Sequence, residues 1–531
     1  VSLHGQAGGV AGARDDRALG DALMNDLPPW VTRAMLAFLL VVGSVFALVR
    51  LGDPGLWADE IYTARWTRLA PPQLIRALGT DLHPPLFFLL EGEVVKRMGE
   101  SEAGVRLLAA LASVATLATS FWAFRPALGA KRALIASGLL ALHPEFLLYG
   151  RMARYYSFAA LMAMLAHGVF SRLMLARGRP RSWALYALTA ALTLYTSYIA
   201  AAILVGHGAW AWLRRREGGE FRAWLVCMGI TMVMFVPWLP MLRVQFATAH
   251  SLNPAIGAGA LAMAGSLLYG LWAATASERV MPWTLTGALA LACGAWLLIS
   301  GLRSAWREKL GEALLVPAGV AALVAWGMVV VLAQGTPFVS LPARALFLLP
   351  FVTAVFAVAL THRGPSWRLD AVAVVGICFA WMLSRAPWPS GEERVLNPVY
   401  RTPGREAAAF VVSHATPGSL VLAEDDTGAS WYLQKRGFPG SVTDPADTAA
   451  TANALAGHPN EILWVRLSRD GSARVRPAAA IRGKLVGGWI PRDSTGFLRF
   501  DPTYRALKRQ VLRLQGDEYR VTVVHWVAKT P

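Results

Sequence analysis

Cysteine is nearly absent from this chain: three among 531 residues, Cys227, Cys293 and Cys378, each within an apolar stretch. None lies beyond residue 386, which excludes a disulfide framework or a Cys-based metal site there. Charge is scarce as well, 16% of residues against 55% hydrophobic, and the mean hydropathy of +0.43 is too high for a water-soluble chain. Acid is the rarer sign, with 33 Asp and Glu against 51 Lys and Arg and a net charge of +18. That excess sits in short clusters between apolar runs, the pattern of cytoplasmic loops facing anionic lipid. No zinc-finger spacing or RNA-binding signature accompanies it, so nucleic acid is not an expected partner. The chain has no internal repeat and no low-complexity tract. The N-terminal stretch does not read as a signal peptide: the first apolar run, 30–49, lacks a small-residue cleavage site and ends at Arg50, so it is expected to be a retained span that also targets the protein.

What is present is a series of membrane-length runs. A bilayer core of about 30 Å takes about 20 helical residues. Such windows fall at 30–49, 104–124, 133–149, 157–175, 183–197, 198–213, 223–242, 282–302, 313–333, 345–361 and 369–384. The expected fold class is therefore a polytopic α-helical membrane protein of about 11 transmembrane helices with a C-terminal soluble α/β domain. Residues 1–29, with Arg14, Asp15, Asp16 and Arg17, read as a polar cytoplasmic segment, 30–385 as the transmembrane domain with a long outer loop at 51–103, and 386–531 as the soluble domain.

Orientation follows from the loops. With the N-terminus inside, the inner loops hold Arg125, Lys131 and Arg132, then Arg172, Arg177, Arg179 and Arg181, then Arg214, Arg215 and Arg216. The stretch 255–276 is apolar enough to span, but counting it as a span would place Arg303, Arg307, Lys309, Arg363 and Arg368 outside. It is therefore read as a re-entrant or interfacial helix on the outer side. The location expected is the inner (cytoplasmic) membrane, with the soluble domain extracytoplasmic. In that domain β-like runs lie at 419–423, 462–467 and 519–527, an amphipathic helix at 405–414, and turn formers such as Pro417-Gly418 between them.

The outer loop carries the chemistry. Leu56-Trp57-Ala58-Asp59-Glu60 follows the first span directly, and adjacent acids there, taken alone, would be ordinary solvated charges. About twenty residues on comes Asp81-Leu82-His83-Pro84-Pro85-Leu86-Phe87-Phe88. The prolines cannot continue a helix from upstream, and Pro84 holds His83 extended, so a new helix starts here with His83 at its mouth. Arg106, Arg151, Arg154 and Arg344 fall at expected outer helix ends. Any one could snorkel to the headgroups, but four on one side suit a lipid phosphate, whose oxygens a guanidinium binds in a bidentate fork.

Trp-Ala-Asp-Glu after the first helix, the Asp-x-His-Pro-Pro-Leu-Phe-Phe segment, Ser101-Glu102 before Arg106, and Arg151-Met152-Ala153-Arg154-Tyr155-Tyr156-Ser157 resemble the bacterial GT-C superfamily glycosyltransferases. The nearest group is that of the protein mannosyltransferases and the lipid A aminoarabinose transferase (glycosyltransferase family 39-like). Tyr195-Thr196-Ser197-Tyr198 and Pro342-Ala343-Arg344-Ala345-Leu346 add weaker similarity, and the resemblance covers about 30–360. Met152 stands where relatives carry Glu, Ser197 where a histidine is frequent, and Ala345 where an aromatic follows the arginine.

The resemblance implies a polyprenyl-phosphate-linked sugar as donor, a glycan, lipid or protein acceptor on the outer face, and inversion at the anomeric carbon. On that chemistry Asp59 is the expected general base. Glu60 or Asp81 would hold the acceptor or a divalent cation such as Mg²⁺ or Mn²⁺, and His83, Arg106, Arg151, Arg154 and Arg344 would bind donor phosphate. Other readings are a polytopic transporter, a diphosphate-donor polysaccharide ligase or polymerase, and a non-catalytic scaffold. Against a transporter, the charged residues gather at helix ends and in one outer loop; His207, inside the sixth span, is an exception and reads as a satisfied packing residue.

Overall fold

The computed structural model describes residues 27–79, 81, 83–176, 180–252, 260–332, 342–362, 366–384, 400, 402–468, 488–497 and 520–529. The N-terminal segment up to residue 26, together with Arg177, Arg179 and Arg363 of the expected loops, lies outside the described residues. The chain divides into two compact units: 1–49, 69–94 and 106–389 form one, and 50–68, 95–105 and 390–531 the other.

The first unit is helical. A helix or helical run coincides with each apolar window read from the sequence, because in lipid a backbone can satisfy its N–H and C=O groups only within itself. By length and composition six described helices can cross a membrane: Pro29–Leu48, Glu102–Leu142, Tyr156–Leu175, Glu220–Ala247, Leu285–Arg307 and Gly311–Met328. They present apolar side chains outward, Phe38, Val233 and Leu323 among them, each about two-thirds exposed or more.

One expectation changes form. The windows 104–124 and 133–149 are joined by a kink instead of a loop: the helix runs from Glu102 to Leu142 with a break at Gly129 (φ 81°, ψ 169°), three residues after Pro126. Proline removes a ladder hydrogen bond and glycine accepts the left-handed φ, so two helical stretches meet at a kink with no loop between them. A separate helix, Pro144–Gly150, then starts at His143, whose Nδ1 accepts from the Glu145 N–H. The described part of 255–276 is a helix, Ala260–Thr275, of 16 residues. At 1.5 Å per residue it reaches about 24 Å, short of a full bilayer core.

Close helix contacts rest on small residues, as packing in lipid requires. A Cβ at Gly206 would collide with the carbonyl of Pro317, and one at Gly301 with that of Val355. His207 is fully buried with both ring nitrogens engaged, by Tyr186 Oη at 3.0 Å and by His167 Nδ1 at 3.2 Å, a packed and satisfied residue as its position in the sequence suggested.

The second unit is built on a five-stranded sheet, order β2-β1-β3-β5-β4, from β1 (Leu420–Ala423), β2 (Ser441–Thr443), β3 (Glu461–Ser468), β4 (Trp489–Phe497) and β5 (Arg520–Ala528). β2, β1 and β3 run parallel, with the helices Ala429–Lys435 and Thr448–Ala456 in the two connections; β5 and β4 add antiparallel. Leu420, Leu422, Ile462, Trp464 and Trp526 form its core on one face. The runs at 419–423, 462–467 and 519–527 became β1, β3 and β5. β2 is only three residues long, and β4 contains Pro491 and an irregularity between Pro491 and Asp493, so neither edge strand shows the alternation by which strands are recognised.

This unit also takes in part of the long loop. The helix Ala58–Trp66 is bound to the Asp425 side chain, which accepts from Tyr62 Oη at 2.7 Å and Arg65 Nη1 at 2.8 Å. The Tyr432 hydroxyl accepts from the Leu56 N–H at 2.6 Å, Arg405 donates to the Asp53 carbonyl at 2.6 Å, and Lys435 pairs with Glu102 at 3.3 Å. Gly428 leaves room for Ile61, where a side chain would clash.

Candidate functional site

The residues singled out in the sequence fall in both units. Asp59 and Glu60 belong to the second; Asp81, His83, Arg106, Arg151, Arg154 and Arg344 belong to the first.

In the second unit Asp59 and Glu60 occupy the first turn of the Ala58–Trp66 helix, where acids suit the helix's N-terminal partial charge. Their surroundings differ. Glu60 is fully buried and accepts from the Trp57 N–H at 3.3 Å, so it serves as half of a capping box. Asp59 is half-buried, and its backbone carbonyl accepts from Thr63 Oγ1 at 3.0 Å. The helix thus fixes Asp59 through Glu60's cap and through the Tyr62 and Arg65 bonds to Asp425. Burial, and then the Asp425 carboxylate, push the Tyr62 phenol well above its ordinary value, so Tyr62 stays a neutral donor.

In the first unit a linear set forms at the Pro-Pro turn. Asp81 Oδ1 lies 2.9 Å from His83 Nδ1, and Arg154 Nη2 lies 3.1 Å from His83 Nε2. A guanidinium can only donate, so Nε2 is the accepting nitrogen and Nδ1 carries the proton given to Asp81. The ring is therefore neutral. Burial lowers its pKa most, Asp81 opposes that, and the charges of Arg154 and Arg344 add to the lowering. Tyr155 stacks edge-on against His83 at 4.9 Å and Phe88 at 5.7 Å, and Arg154 lies 5.9 Å from both aromatic ring centres. The sequence placed His83 among the groups expected to bind donor phosphate; in the structure its ring meets the guanidinium of Arg154, another of them.

The other arginines differ in role. Arg151 donates through Nη1 to the carbonyls of Phe46, Ala47 and Val49 at 2.7, 3.0 and 2.9 Å, capping the C-terminal end of the Pro29–Leu48 helix. Arg106 is buried in the long kinked helix. Arg344 is half-buried, and its charge reaches His83. Its neighbours Pro342 and Ala345 line a cavity of about 470 Å³ whose walls are otherwise almost wholly apolar, with Leu267, Leu298 and Phe351 among them. Hydropathy gave no hint of this cavity, since its lining looks like any other stretch of span.

Among the described residues no three His, Cys, Asp or Glu side chains gather as a metal-holding group. Glu60 accepts from the Trp57 N–H and Asp81 Oδ1 lies against His83 Nδ1, the contacts described above for the two acids expected to hold an acceptor or a divalent cation.

Residues 82–241 match the family model described as dolichyl-phosphate-mannose-protein mannosyltransferase. No curated protein matches the sequence. Among solved structures the chain is similar to ArnT from Cupriavidus metallidurans in the apo state, at 13% identity and a TM-score of 0.51 over 93% of this chain and 98% of that one. It is also similar to ArnT bound to undecaprenyl phosphate (14%, TM-score 0.48, 92% and 97%). The oligosaccharyltransferase of Archaeoglobus fulgidus, in complex with Zn and sulfate, is similar at 11% identity and a TM-score of 0.48, over 81% of this chain and 68% of that one. The likeness to apo ArnT shows the helical GT-C membrane fold, and with the family match it supports a GT-C superfamily glycosyltransferase.

The neutral state of His83 is open to direct measurement. Its hydrogen bond from Arg154 is complete at and above the ordinary histidine value of about 6.5 and is lost only as the pH falls through the lowered one. In a ¹⁵N-histidine NMR titration, with His83 assigned by its loss in His83→Asn, the ring should protonate below about pH 6.5. Asp81→Asn removes the group that favours the cation, so protonation should move to still lower pH. An upward shift would contradict the assigned tautomer.

Proposed function

We propose that the protein transfers a sugar from a polyprenyl-phosphate carrier to an acceptor hydroxyl at the outer face of the cytoplasmic membrane, with inversion. The observation that carries this reading is that Arg344, whose chain neighbours Pro342 and Ala345 line an apolar cavity, also acts through its charge on His83, the partner of Arg154. A polyprenyl phosphate has the same two-part chemistry, an isoprenoid chain for the apolar cavity and a phosphate for the guanidinium groups. The match of 82–241 to a family named for a dolichyl-phosphate-linked mannose points the same way.

In the reaction the acceptor oxygen attacks the anomeric carbon from the face opposite the phosphate. The new C–O bond forms as the bond from that carbon to the phosphate oxygen breaks, and the polyprenyl phosphate leaves with the electron pair. The acceptor's proton goes to Asp59 as general base. The leaving oxygen is already a stable phosphate and takes no proton; Arg154, held by neutral His83, and Arg344 stabilise the charge that grows on it. Arg151, engaged in capping, is left out of this set, and Arg106 is kept as a buried neighbour on the helix after the outer loop. A glycan, a lipid or a protein hydroxyl each fits the acceptor's chemistry.

The orientation proposed puts the soluble unit outside the cytoplasm, which rests on the basic residues of the loops. A periplasm-dependent reporter fused after Thr530 should be active; activity of a cytoplasm-dependent reporter alone at that point would reverse the topology.

The donor and the base are tested separately. Arg344→Lys keeps the charge but loses the planar fork, and should weaken binding of a short polyprenyl monophosphate by about 1–3 kcal/mol, the scale of one charge-assisted hydrogen bond. Unchanged affinity returns Arg344 to an ordinary helix-end residue. Asp59→Asn should leave that binding intact and lower transfer of labelled sugar from a polyprenyl-phosphate pool by about 10²- to 10⁴-fold. Wild-type turnover in this variant would sink the mechanism, and preference for a diphosphate-linked donor would favour the ligase reading.

A further inference from the structure

We infer that Gln245, which neither the motifs nor the family match singles out, is the positioning residue that holds the His83 turn in register with Arg154. The inference rests on the reading of His83 and Arg154 as donor-phosphate machinery. Gln245 lies on the Leu239–Leu252 helix and is 2% exposed. Its single side-chain nitrogen donates to two backbone carbonyls, that of Leu78 at 2.8 Å and that of His83 itself at 3.0 Å. Leu78 is in the last turn of the Pro71–Gly79 helix and His83 stands just before the Pro-Pro pair, so one amide closes the whole turn between them. Within the turn the Leu78 carbonyl also accepts from the Asp81 N–H at 3.1 Å, and the amide adds the bond that ties this carbonyl to that of His83.

The amide cannot turn round. Trp238 Nε1 donates to Tyr198 Oη at 2.6 Å, and an indole N–H has no accepting form. The Tyr198 hydroxyl, already an acceptor there, gives its proton to Gln245 Oε1 at 2.7 Å. With the oxygen so occupied, the NH₂ group must face the two carbonyls, which can only accept. The chain of four groups runs in one direction, from a buried indole to the backbone of the residue that orients Arg154. Close approach supports it: Met241, one turn earlier on the same helix, meets Gly79 where a Cβ would clash, so the helix is seated against the end of Pro71–Gly79.

A residue acting in this way works through His83 and through nothing else at the site. The consequence is non-additivity: once the imidazole is gone, the register of its backbone no longer matters to Arg154. The experiment uses the full chain in lipid nanodiscs with farnesyl phosphate as the probe, and measures its dissociation constant in wild type, Gln245→Leu, His83→Ala and the double variant. Gln245→Leu should weaken binding about tenfold, the scale of the two hydrogen bonds removed. The double variant should bind no more weakly than His83→Ala alone. Tyr198→Phe, which keeps the amide but frees it to flip, should show a smaller loss, roughly threefold, with the same dependence on His83. If Gln245→Leu does not fold, the cycle is run on Tyr198→Phe.

Losses that add in the double variant, or wild-type binding by both Gln245→Leu and Tyr198→Phe, overturn the inference while leaving the donor site standing. Wild-type binding by His83→Ala removes the donor-site reading and the inference with it.

Discussion

A helix that ends in apolar surroundings leaves carbonyls that no water reaches, and the polar residues of the first unit answer to that constraint before any other. Arg151 covers three carbonyls at the end of the first helix and Arg214 that of Met174 in the last turn of Tyr156–Ala176, while Arg172 covers two carbonyls inside helices, that of Gly168 and that of Trp122, four residues before Pro126. Gln245 does the same for Leu78 and His83. A net charge of +18 is thus a poor count of the cations available to a ligand. Several arginines that look alike in sequence are parts of the backbone's hydrogen-bond accounting, and it takes the geometry to separate them from Arg344.

The second unit meets a different demand. Its sheet is small, and the segments 50–68 and 95–105 contribute a helix and a set of polar contacts to it. Asp425 accepts from both Tyr62 and Arg65, and one turn away in the same helix stands Asp59. The acid assigned the proton therefore sits on a short helix anchored by a carboxylate, a capping glutamate and the close approach of Ile61 to Gly428. The base role proposed for Asp59 would require a fixed position, and this anchoring is the feature that would provide it.

Much of this was legible in the chain. Apolar windows of about 20 residues have one physical outcome in lipid, so the helices could be placed from hydropathy, and the β-branched runs at 419–423, 462–467 and 519–527 were recognisable as strands. The kink at Gly129 was half-visible in Pro126. The bonds of Tyr62 and Arg65 to Asp425 and those of Gln245 to Leu78 and His83 were not, because each spans more than 150 residues and a local pattern carries no information about such pairs. Arg151 and Arg154 show the same limit at short range: three positions apart, both basic, one caps a helix and the other meets an imidazole. His83 was found for its position, while its charge state depended on burial and on two arginines from distant segments.

The order of groups Asp81, His83, Arg154 has a physical logic of its own. Were the carboxylate to meet the guanidinium directly, the pair would largely cancel, and a phosphate would have to compete for a cation already held by a full negative charge. The neutral ring between them fixes the guanidinium's direction through Nε2 and keeps the carboxylate one imidazole away. Asp81 in turn fixes the tautomer, since its oxygen takes the Nδ1 proton and leaves Nε2 free to accept. A protonated His83 would end this arrangement twice over, by removing the acceptor for Arg154 and by placing two cations side by side. The burial that keeps the ring neutral is therefore part of how Arg154 is aimed, and the turn that carries His83 has to be held as firmly as the ring itself.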